Sequence, residues 1–392
     1  MKSSFYKYLL LILIFLSLSS FEISTGESNE IIQSVAVIID ATEFYNEQSY
    51  SDILKGFDLI NKTYDIHYDI YKLENYRTTR LYPYNASYTY NNSLTNHTTL
   101  AKSLVNNYDM VAFIGYELRR GEFDPNDYPT TKFLYYDLAG DLPETISHPT
   151  QIPNNVIIVS FRENEIGFIS GTLAVATISP FPQKVLMIGT YHYQTPEGTW
   201  SDPRTQNLIA GFQSAILQGQ PNVLITIDYI DSFWEHLGNY SMAKNLAASY
   251  STADYGIIFT ALQNNQTEGV ISGLPGHIII GTDSNRIRNV YKNNSMTLYS
   301  VFQAINKSSN FPAGIHTYRF ADNVYEVTDW LSDENIINET LTNLYIDIVE
   351  NGILIPTALN YAKNTSGFEV LPMFSAVFCI IIINIFTRKK RK

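Results

Sequence analysis

The residues best placed to do chemistry in this chain fall at the ends of short apolar runs: Asp40, Gly115-Tyr116, Asp137, Gly189-Thr190 and Asp283. An ionised carboxylate accepts strong, charge-assisted hydrogen bonds from hydroxyl or amine donors. Aspartates after a strand also cap the helices that follow, and both roles stay open for Asp137 and Asp283. Gly115 and Gly281 suit tight turns; Tyr116 either lines a cleft or packs beneath it. Patterns of catalysis are missing: there is no H-E-x-x-H, no G-x-S-x-G, no P-loop and no G-x-G-x-x-G. His67, His97, His148, His192, His236, His277 and His316 are scattered, none paired at metal-ligand spacing. Neither a metal nor a cofactor is expected. Abundant carboxylates leave a hydrolase open as an alternative.

The elements that must hold these residues alternate along the chain. Val35 to Ile39 has the composition of a buried strand, and Ser51 to Ile60 spaces Ile53, Leu54, Phe57 and Ile60 as a helix does. Strands follow at Met110 to Ile114, Phe133 to Tyr136 and Val156 to Val159, then a helix from Glu163 to Ile178 with Gly167 and Gly171 on one close-packing face. The alternation repeats with strands at 184–188, 223–227, 255–259 and 277–280 and helices at 206–217, 241–250 and 267–274. Continuously apolar strands separated by helices mean parallel sheets covered on both faces. Two such sets in succession predict an α/β chain of two Rossmann-like lobes. In open parallel sheets a ligand sits beyond the carboxyl ends of the strands, so two facing lobes would place it in an interlobe cleft. Tyr76 to Thr99, rich in tyrosine and asparagine, reads as a surface excursion.

The ends carry a different message. Lys2 and Lys7 give a basic start before an apolar run from Tyr8 to Leu18, and Ser17-Leu18-Ser19 offers a cleavage site. Residues 1–20 therefore read as a signal peptide. An uncleaved anchor is the other reading, but the run is shorter than the about 20 residues a span needs. Leu371 to Phe386 is apolar apart from Ser375 and Asn384, and Arg388-Lys389-Lys390-Arg391-Lys392 follows. This is the pattern of a transmembrane helix, 371–387, with a cytosolic basic tail, 388–392. Its length, on the order of 25 Å, suits a thinner bilayer. The terminal lysines resemble a dilysine retrieval signal; a plain stop-transfer anchor is the alternative, and a GPI signal fits less well because the tail ends basic. The expected address is a type I protein of the secretory pathway, in endoplasmic reticulum/Golgi membranes or at the cell surface, with its body lumenal or extracellular.

Composition agrees with a large regular body. The one cysteine, Cys379, lies in the proposed span, so no disulfide stabilises the rest. With the cations of both ends set aside, 19 basic residues face 38 acidic ones. A surface that acidic repels phosphate backbones, which excludes a nucleic acid polymer as partner. N-x-[ST] sequons begin at Asn61, Asn85, Asn91, Asn96, Asn239, Asn265, Asn293, Asn306, Asn338 and Asn364 and read as acceptor sites in a secreted glycoprotein.

A run of residues then points to a family. Pro153-Asn154-Asn155-Val156, followed by Phe161-Arg162-Glu163-Asn164-Glu165-Ile166-Gly167-Phe168-Ile169-Ser170-Gly171-Thr172-Leu173-Ala174, resembles the basic membrane protein (BMP) family. These are the PnrA-like nucleoside-binding lipoproteins of bacterial ABC importers. Asp40 to Gly56, Gly115-Tyr116, Pro129 to Asp137, Gly211-Phe212, Ala253-Asp254, Ile280 to Asp283, Leu298 to Ser300 and Gly314 to Val324 follow in family order. The resemblance implies a type I periplasmic-binding-protein fold with several crossovers. It puts lobe one at about 34–160 and 283–313 and lobe two at about 161–282 and 314–350, with a juxtamembrane linker at 351–370. It further implies stacking of a purine between aromatic rings, Phe44 or Tyr45 on one side and Phe233 or Trp234 on the other. Asp137 and Asp283 would take ligand donors, and Asp40 would hold the first loop. The first loop departs from the family, reading Glu47-Gln48-Ser49-Tyr50-Ser51 with only Ser49 kept. The family lysine after the Ser-x-x step is Gln303, and the second acid after Asp283 is Asn285.

The reading is a membrane-tethered, non-enzymatic binding protein or sensor for a small neutral ligand such as a purine nucleoside. A transport or signalling partner is required and none is identifiable in the chain. The alternatives are a structural or adhesive glycoprotein that no longer binds ligand, and a lumenal hydrolase using cleft carboxylates.

Overall fold

The computed structural model describes residues 32–357 except 41–46, 74–91, 116–117, 119–122, 138–144, 147, 191, 196–197, 231–239, 252, 263, 283–287, 309, 329 and 331–333. The apolar runs form the strands that their β-branched composition favours. In the first half these are β1 (Ser34–Asp40), β2 (His67–Leu73), β3 (Met110–Ile114), β4 (Lys132–Tyr136) and β5 (Val156–Phe161). Two helices accompany them, α1 (Glu47–Tyr64) and α2 (Asn92–Leu104). The second half adds α3 (Glu163–Thr177), β6 (Lys184–Gly189), the strands β7 (His192–Thr195) and β8 (Gly198–Ser201), α4 (Pro203–Gly219) and β9 (Leu224–Tyr229). It continues with α5 (Tyr240–Ser249), β10 (Ile257–Ala261), α6 (Asn264–Gly273), β11 (Ile278–Gly281) and β12 (Arg288–Lys292). Last come α7 (Asn294–Lys307), β13 (Gly314–Tyr318), β14 (Tyr325–Thr328) and α8 (Glu334–Tyr345).

Two six-stranded sheets result, ordered β13-β5-β4-β3-β1-β2 and β14-β12-β11-β10-β6-β9. All pairs are parallel except β12–β14. Side chains alternate across a sheet, and each face has its own core. In the first sheet Val35, Val37 and Ile39 pack with Ile53, Phe57 and Phe302, while Ala36 and Ile38 pack with Ala101, Leu104 and Phe133. In the second, Val185 and Met187 join Phe212 and Phe259, and Leu186 and Ile188 join Ala243 and Val270. Burial on both faces is why these strands read as unbroken apolar runs.

The expected lobe boundaries need correction. The return of the chain to lobe one was expected at 283, but β12 pairs with β11 and Val290 enters the second core, so 288–292 belongs to lobe two. The next switch was expected at 314, but β13 pairs with β5, so 314–318 belongs to lobe one. Each switch falls one strand later than expected, because a short apolar run does not record which distant strand it will pair with. Among the described residues the chain crosses between lobes three times: from β5 to α3, from β12 to α7, and from β13 to β14. The crossings are tied together. Phe320 N–H donates to Glu165 Oε2 at 2.6 Å, Arg162 N–H to the Tyr318 carbonyl at 3.0 Å, and Tyr325 O–H to the Arg162 carbonyl at 3.2 Å.

The surface excursion also ends earlier than expected. α2 starts at Asn92, and Thr98, Ala101 and Leu104 turn inward beneath the first sheet. Among the described residues no helix is long and apolar enough to cross a membrane. The expected signal peptide, span, tail and most of the linker lie outside those residues. The linker's first part, 351–357, is irregular and is held by the Asn164 side-chain amide, which donates to the Ile355 carbonyl at 3.0 Å. Of the sequons, Asn61, Asn306 and Asn338 are exposed. Asn293 is engaged, accepting from Met296 N–H at 2.8 Å as the cap of α7 and donating to Glu326. Asn96 and Asn265 lie in α2 and α6, and Asn85, Asn91, Asn239 and Asn364 fall outside the described residues.

Candidate functional site

Asp137 is the first residue past β4, at the carboxyl end of the first sheet. It adopts a left-handed backbone, φ 66°, that costs on the order of 1 kcal/mol for a residue with a Cβ, aspartate being among the more tolerant. Its N–H is held by the Val159 carbonyl at 2.9 Å, so the sheet itself enforces the turn. The carboxylate is buried and meets two cations. Arg204 Nη2 stands 2.8 Å from Oδ2, and Lys292 Nζ lies 2.8 and 2.9 Å from the two oxygens.

A second acid completes the group. Glu163, 2% exposed at its side chain, opens α3; its Oε1 is 2.5 Å from Lys292 Nζ and 3.5 Å from Arg204 Nε. Lys292 Nζ also lies 4.7 Å from the centre of the Phe161 ring, a cation–π contact. Each member comes from a strand end or a helix start. Asp137 belongs to lobe one and Arg204 to lobe two, while Glu163 and Lys292 flank the first and second crossings. Arg204 is set by the Asp202 cap, whose Oδ1 accepts the Arg204 N–H at 3.0 Å.

Two acids and two cations sum to zero formal charge, and their surroundings divide them. Burial works to raise the Asp137 pKa, but Arg204 and Lys292 outweigh it and hold the carboxyl below the ordinary value. Burial dominates at Glu163 and raises it despite the same two cations. Burial and Arg204 press Lys292 downward, but the two carboxylates prevail and keep its ammonium charged above the usual lysine range.

Beside this group runs a neutral chain of hydrogen bonds. Tyr136 O–H donates to Asn294 Oδ1 at 2.9 Å, and Asn294 Nδ2 donates to Ser49 Oγ at 3.1 Å. It connects the end of β4, the start of α7 and the start of α1. On the lobe-two side, Thr190 Oγ1 donates to Asp202 Oδ2 at 3.0 Å and sits 3.0 Å from Thr205 Oγ1.

Of the residues singled out in the sequence, the structure brings Asp137 and Ser49 into this region. Asp40 is the last residue of β1. Phe44, Tyr45, Tyr116, Phe233, Trp234 and Asp283 lie outside the described residues. Sequence reasoning missed Glu163, Arg204, Lys292 and Asn294. Glu163 stood inside the family-like run, yet a charged residue is by default assigned to the surface. The Asp202-Pro203 helix start was the one local signal for Arg204. Gln303, at the expected lysine position, lies in the third turn of α7; the cation at the strand ends is Lys292.

The fold and this strand-end site define a two-lobed solute-binding protein. The chain belongs to the family described as ABC transporter substrate-binding protein PnrA-like (Bmp), whose sequence profile matches residues 32–356. Members are binding proteins of ABC transporters rather than enzymes, and this chain is an extracytosolic solute-binding protein of that kind. Membership corrects the expected address: the family is periplasmic or lipid-anchored, serving a transporter, and not a resident of endoplasmic reticulum/Golgi membranes. No curated protein sequence matches the chain.

Solved structures share the fold. An ABC transporter solute-binding protein from Conexibacter woesei superposes with a TM-score of 0.59 at 12% identity, over 83% of this chain and 99% of that one. A second, from Aeropyrum pernix K1, gives 0.54 at 13% identity, over 81% and 87%. A periplasmic solute-binding protein from Actinobacillus succinogenes 130z, with bound D-allose, gives 0.51 at 11% identity, over 78% and 99%.

Proposed function

We propose that this protein captures a neutral, polyhydroxylated solute, a nucleoside or a sugar, between its lobes. Asp137, Arg204 and Lys292 would form the polar floor of that cleft. The observation that carries the reading is the strained, buried Asp137 at a strand end, paired with a cation from the opposite lobe. Strain of this kind persists where the surroundings over-determine it, commonly at ligand clamps. A hydroxyl can donate to the carboxylate and accept from the guanidinium or ammonium, so a polyol can slot into these pairs without adding charge. Zero net charge in the group favours neutral solutes over nucleotides or uronic acids, which would bury an unmatched charge. The relative from A. succinogenes holding D-allose supports a sugar; membership in the PnrA-like family supports a nucleoside. Asp40, Phe44, Tyr45, Tyr116, Phe233, Trp234 and Asp283 are proposed to complete the cleft walls. The apolar stretch 371–387 is proposed as the tether that keeps the protein beside its transporter; release of the full chain from membranes by alkaline carbonate would refute that role.

The test is calorimetric titration of the purified full-length protein with nucleosides, neutral monosaccharides, nucleotides and uronic acids. Saturable binding of a neutral member, lost in Asp137→Asn, is the expected result. A folded protein that binds none of them would favour the ligand-free structural reading, because the four charges already satisfy one another across the lobes.

A further inference from the structure

The third crossing, from β13 to β14, is bonded to both of the others. At its start, Arg162 N–H of the first crossing donates to the Tyr318 carbonyl at 3.0 Å. At its end, Asn293 N–H of the second crossing donates to the Val324 carbonyl at 2.7 Å. In between the chain makes one tight turn, Phe320–Asp322, closed by Asn323 in the left-handed region at φ 55°. Rotation of one lobe against the other is absorbed in such connecting residues, so the side chains that bridge them set how freely the lobes move.

Tyr325, the first residue of β14, bridges them most fully. Among the described residues it is the one side chain that packs against the cores of both lobes, that of Phe161 and Phe302 and that of Ile166 and Phe259. Its O–H reaches from lobe two back to two lobe-one strand ends. It donates to the carbonyl of Arg162, which follows β5, at 3.2 Å, and to that of Tyr318, which ends β13, at 3.3 Å. Burial raises the phenol pKa well above its ordinary value, so the hydroxyl stays a donor. In the β12–β14 ladder Tyr325 lies directly opposite Lys292, whose ammonium meets Asp137 and Glu163. The bridge therefore adjoins the polar floor.

We infer that Tyr325 is the pin of the hinge: its hydroxyl holds lobe two against the ends of β5 and β13 in the closed arrangement, the one in which Arg204 reaches Asp137 at 2.8 Å. It is a positioning residue, not a contact of the solute. Apolar packing is non-directional, so the ring can slide against two cores as the lobes rotate. The hydrogen bonds cannot follow, because they fail beyond about 3.5 Å or at poor angles. Opening thus breaks the bonds and keeps most of the packing, and the hydroxyl is the part of Tyr325 that distinguishes the two arrangements. The inference deepens the proposed function and rests on it for the effect on solute: a pin on closed lobes slows the escape of whatever the cleft holds.

Tyr325→Phe tests it, because phenylalanine keeps the ring and removes only the hydroxyl. Nitroxides at Lys102→Cys in α2 and Gln218→Cys in α4, both exposed positions, report the separation of the lobes in the full-length protein carrying Cys379→Ser. Without solute, dipolar spectroscopy should show longer and broader distances in Tyr325→Phe. Its melting temperature should fall by no more than about 4 °C, the effect of one hydrogen bond on a chain this large. The nucleoside or monosaccharide that the unsubstituted protein binds should leave the variant about fivefold faster, again the scale of one neutral hydrogen bond. Tyr291→Phe is the control, since that hydroxyl donates to Glu326 within lobe two; it should change neither distance nor rate. Unchanged distances in Tyr325→Phe would overturn the pin whatever the melting temperature, and so would an unchanged dissociation rate; both leave the cleft reading standing. An equal shift in Tyr291→Phe would overturn it as well. An unsubstituted protein that binds neither solute removes the cleft reading, and the distances then decide the pin by themselves.

Discussion

At the scale of single residues, the decisive group is Asp137 with its two cations. Removing its charge leaves Arg204 and Lys292 facing Glu163 alone in a buried setting. Breaking a buried pair in this way costs about 3–5 kcal/mol, so Asp137→Asn should lower the chemical-denaturation midpoint by a corresponding amount as well as abolish solute binding. The acids should also separate by pH. The folded pKa of Asp137 is depressed, so its contribution is present above the unfolded carboxylate value and is lost as pH falls through the lower folded value. Glu163 is the reverse: its folded pKa is raised, so its contribution is full below the unfolded value and is lost as pH rises through the folded one. Glu163→Gln should therefore flatten the stability profile in the mildly acidic range above the usual glutamate value, while leaving the steep loss at lower pH that belongs to Asp137. Melting temperatures across pH for the two proteins would show whether the segments separate.

At the scale of elements, the contact of α3 with α4 positions both Glu163 and Arg204. The two helices meet backbone to backbone: a Cβ at Gly167 would run into the Leu208 carbonyl, and one at Gly211 into the Asn164 carbonyl. Only glycine allows that approach. Gly211→Ala should force the helices apart and destabilise by about 1–3 kcal/mol or more, with solute affinity falling because Arg204 moves with α4. A variant with unchanged melting temperature and affinity would refute this coupling. The start of α4 gives a milder case. Asp202 caps it and also holds the hairpin root through Thr190 and Thr205. Asp202→Ala should cost about 1 kcal/mol for the cap, measurable by denaturant titration.

At the scale of the whole molecule, two sheets with separate cores are joined by three crossings and by the charge group between them. Such lobes close over ligand by a hinge. Saturating solute should raise apparent stability as RT ln(1 + [L]/Kd), about 2.7 kcal/mol at a hundredfold excess over Kd. Arg204→Ala removes the cross-lobe partner of Asp137, so the stabilisation by the same solute concentration should shrink. Scanning calorimetry with and without solute measures both effects, and equal stabilisation in the two proteins would exclude a role for Arg204 in the cleft.

The sequence alone determined the two-lobed α/β architecture. Runs such as Val35 to Ile39 and Met110 to Ile114 are apolar at every position because the sheets are covered on both faces, and that signal is local. It also placed Asp137 at a strand end, where the parallel-sheet rule looks for ligand, and set Gly167 on a close-packing face. The family resemblance was legible for the same reason, since its motifs sit within single strands and turns. Tertiary structure alone decided which sheet received β12 and β13, because pairing joins residues far apart in the chain. It alone gathered Glu163, Arg204 and Lys292 around Asp137. Each of these looks like an ordinary surface charge in its own stretch of sequence. Burial of four charges becomes tolerable only when partners from four separate elements meet with their charges matched, and no local pattern records that meeting.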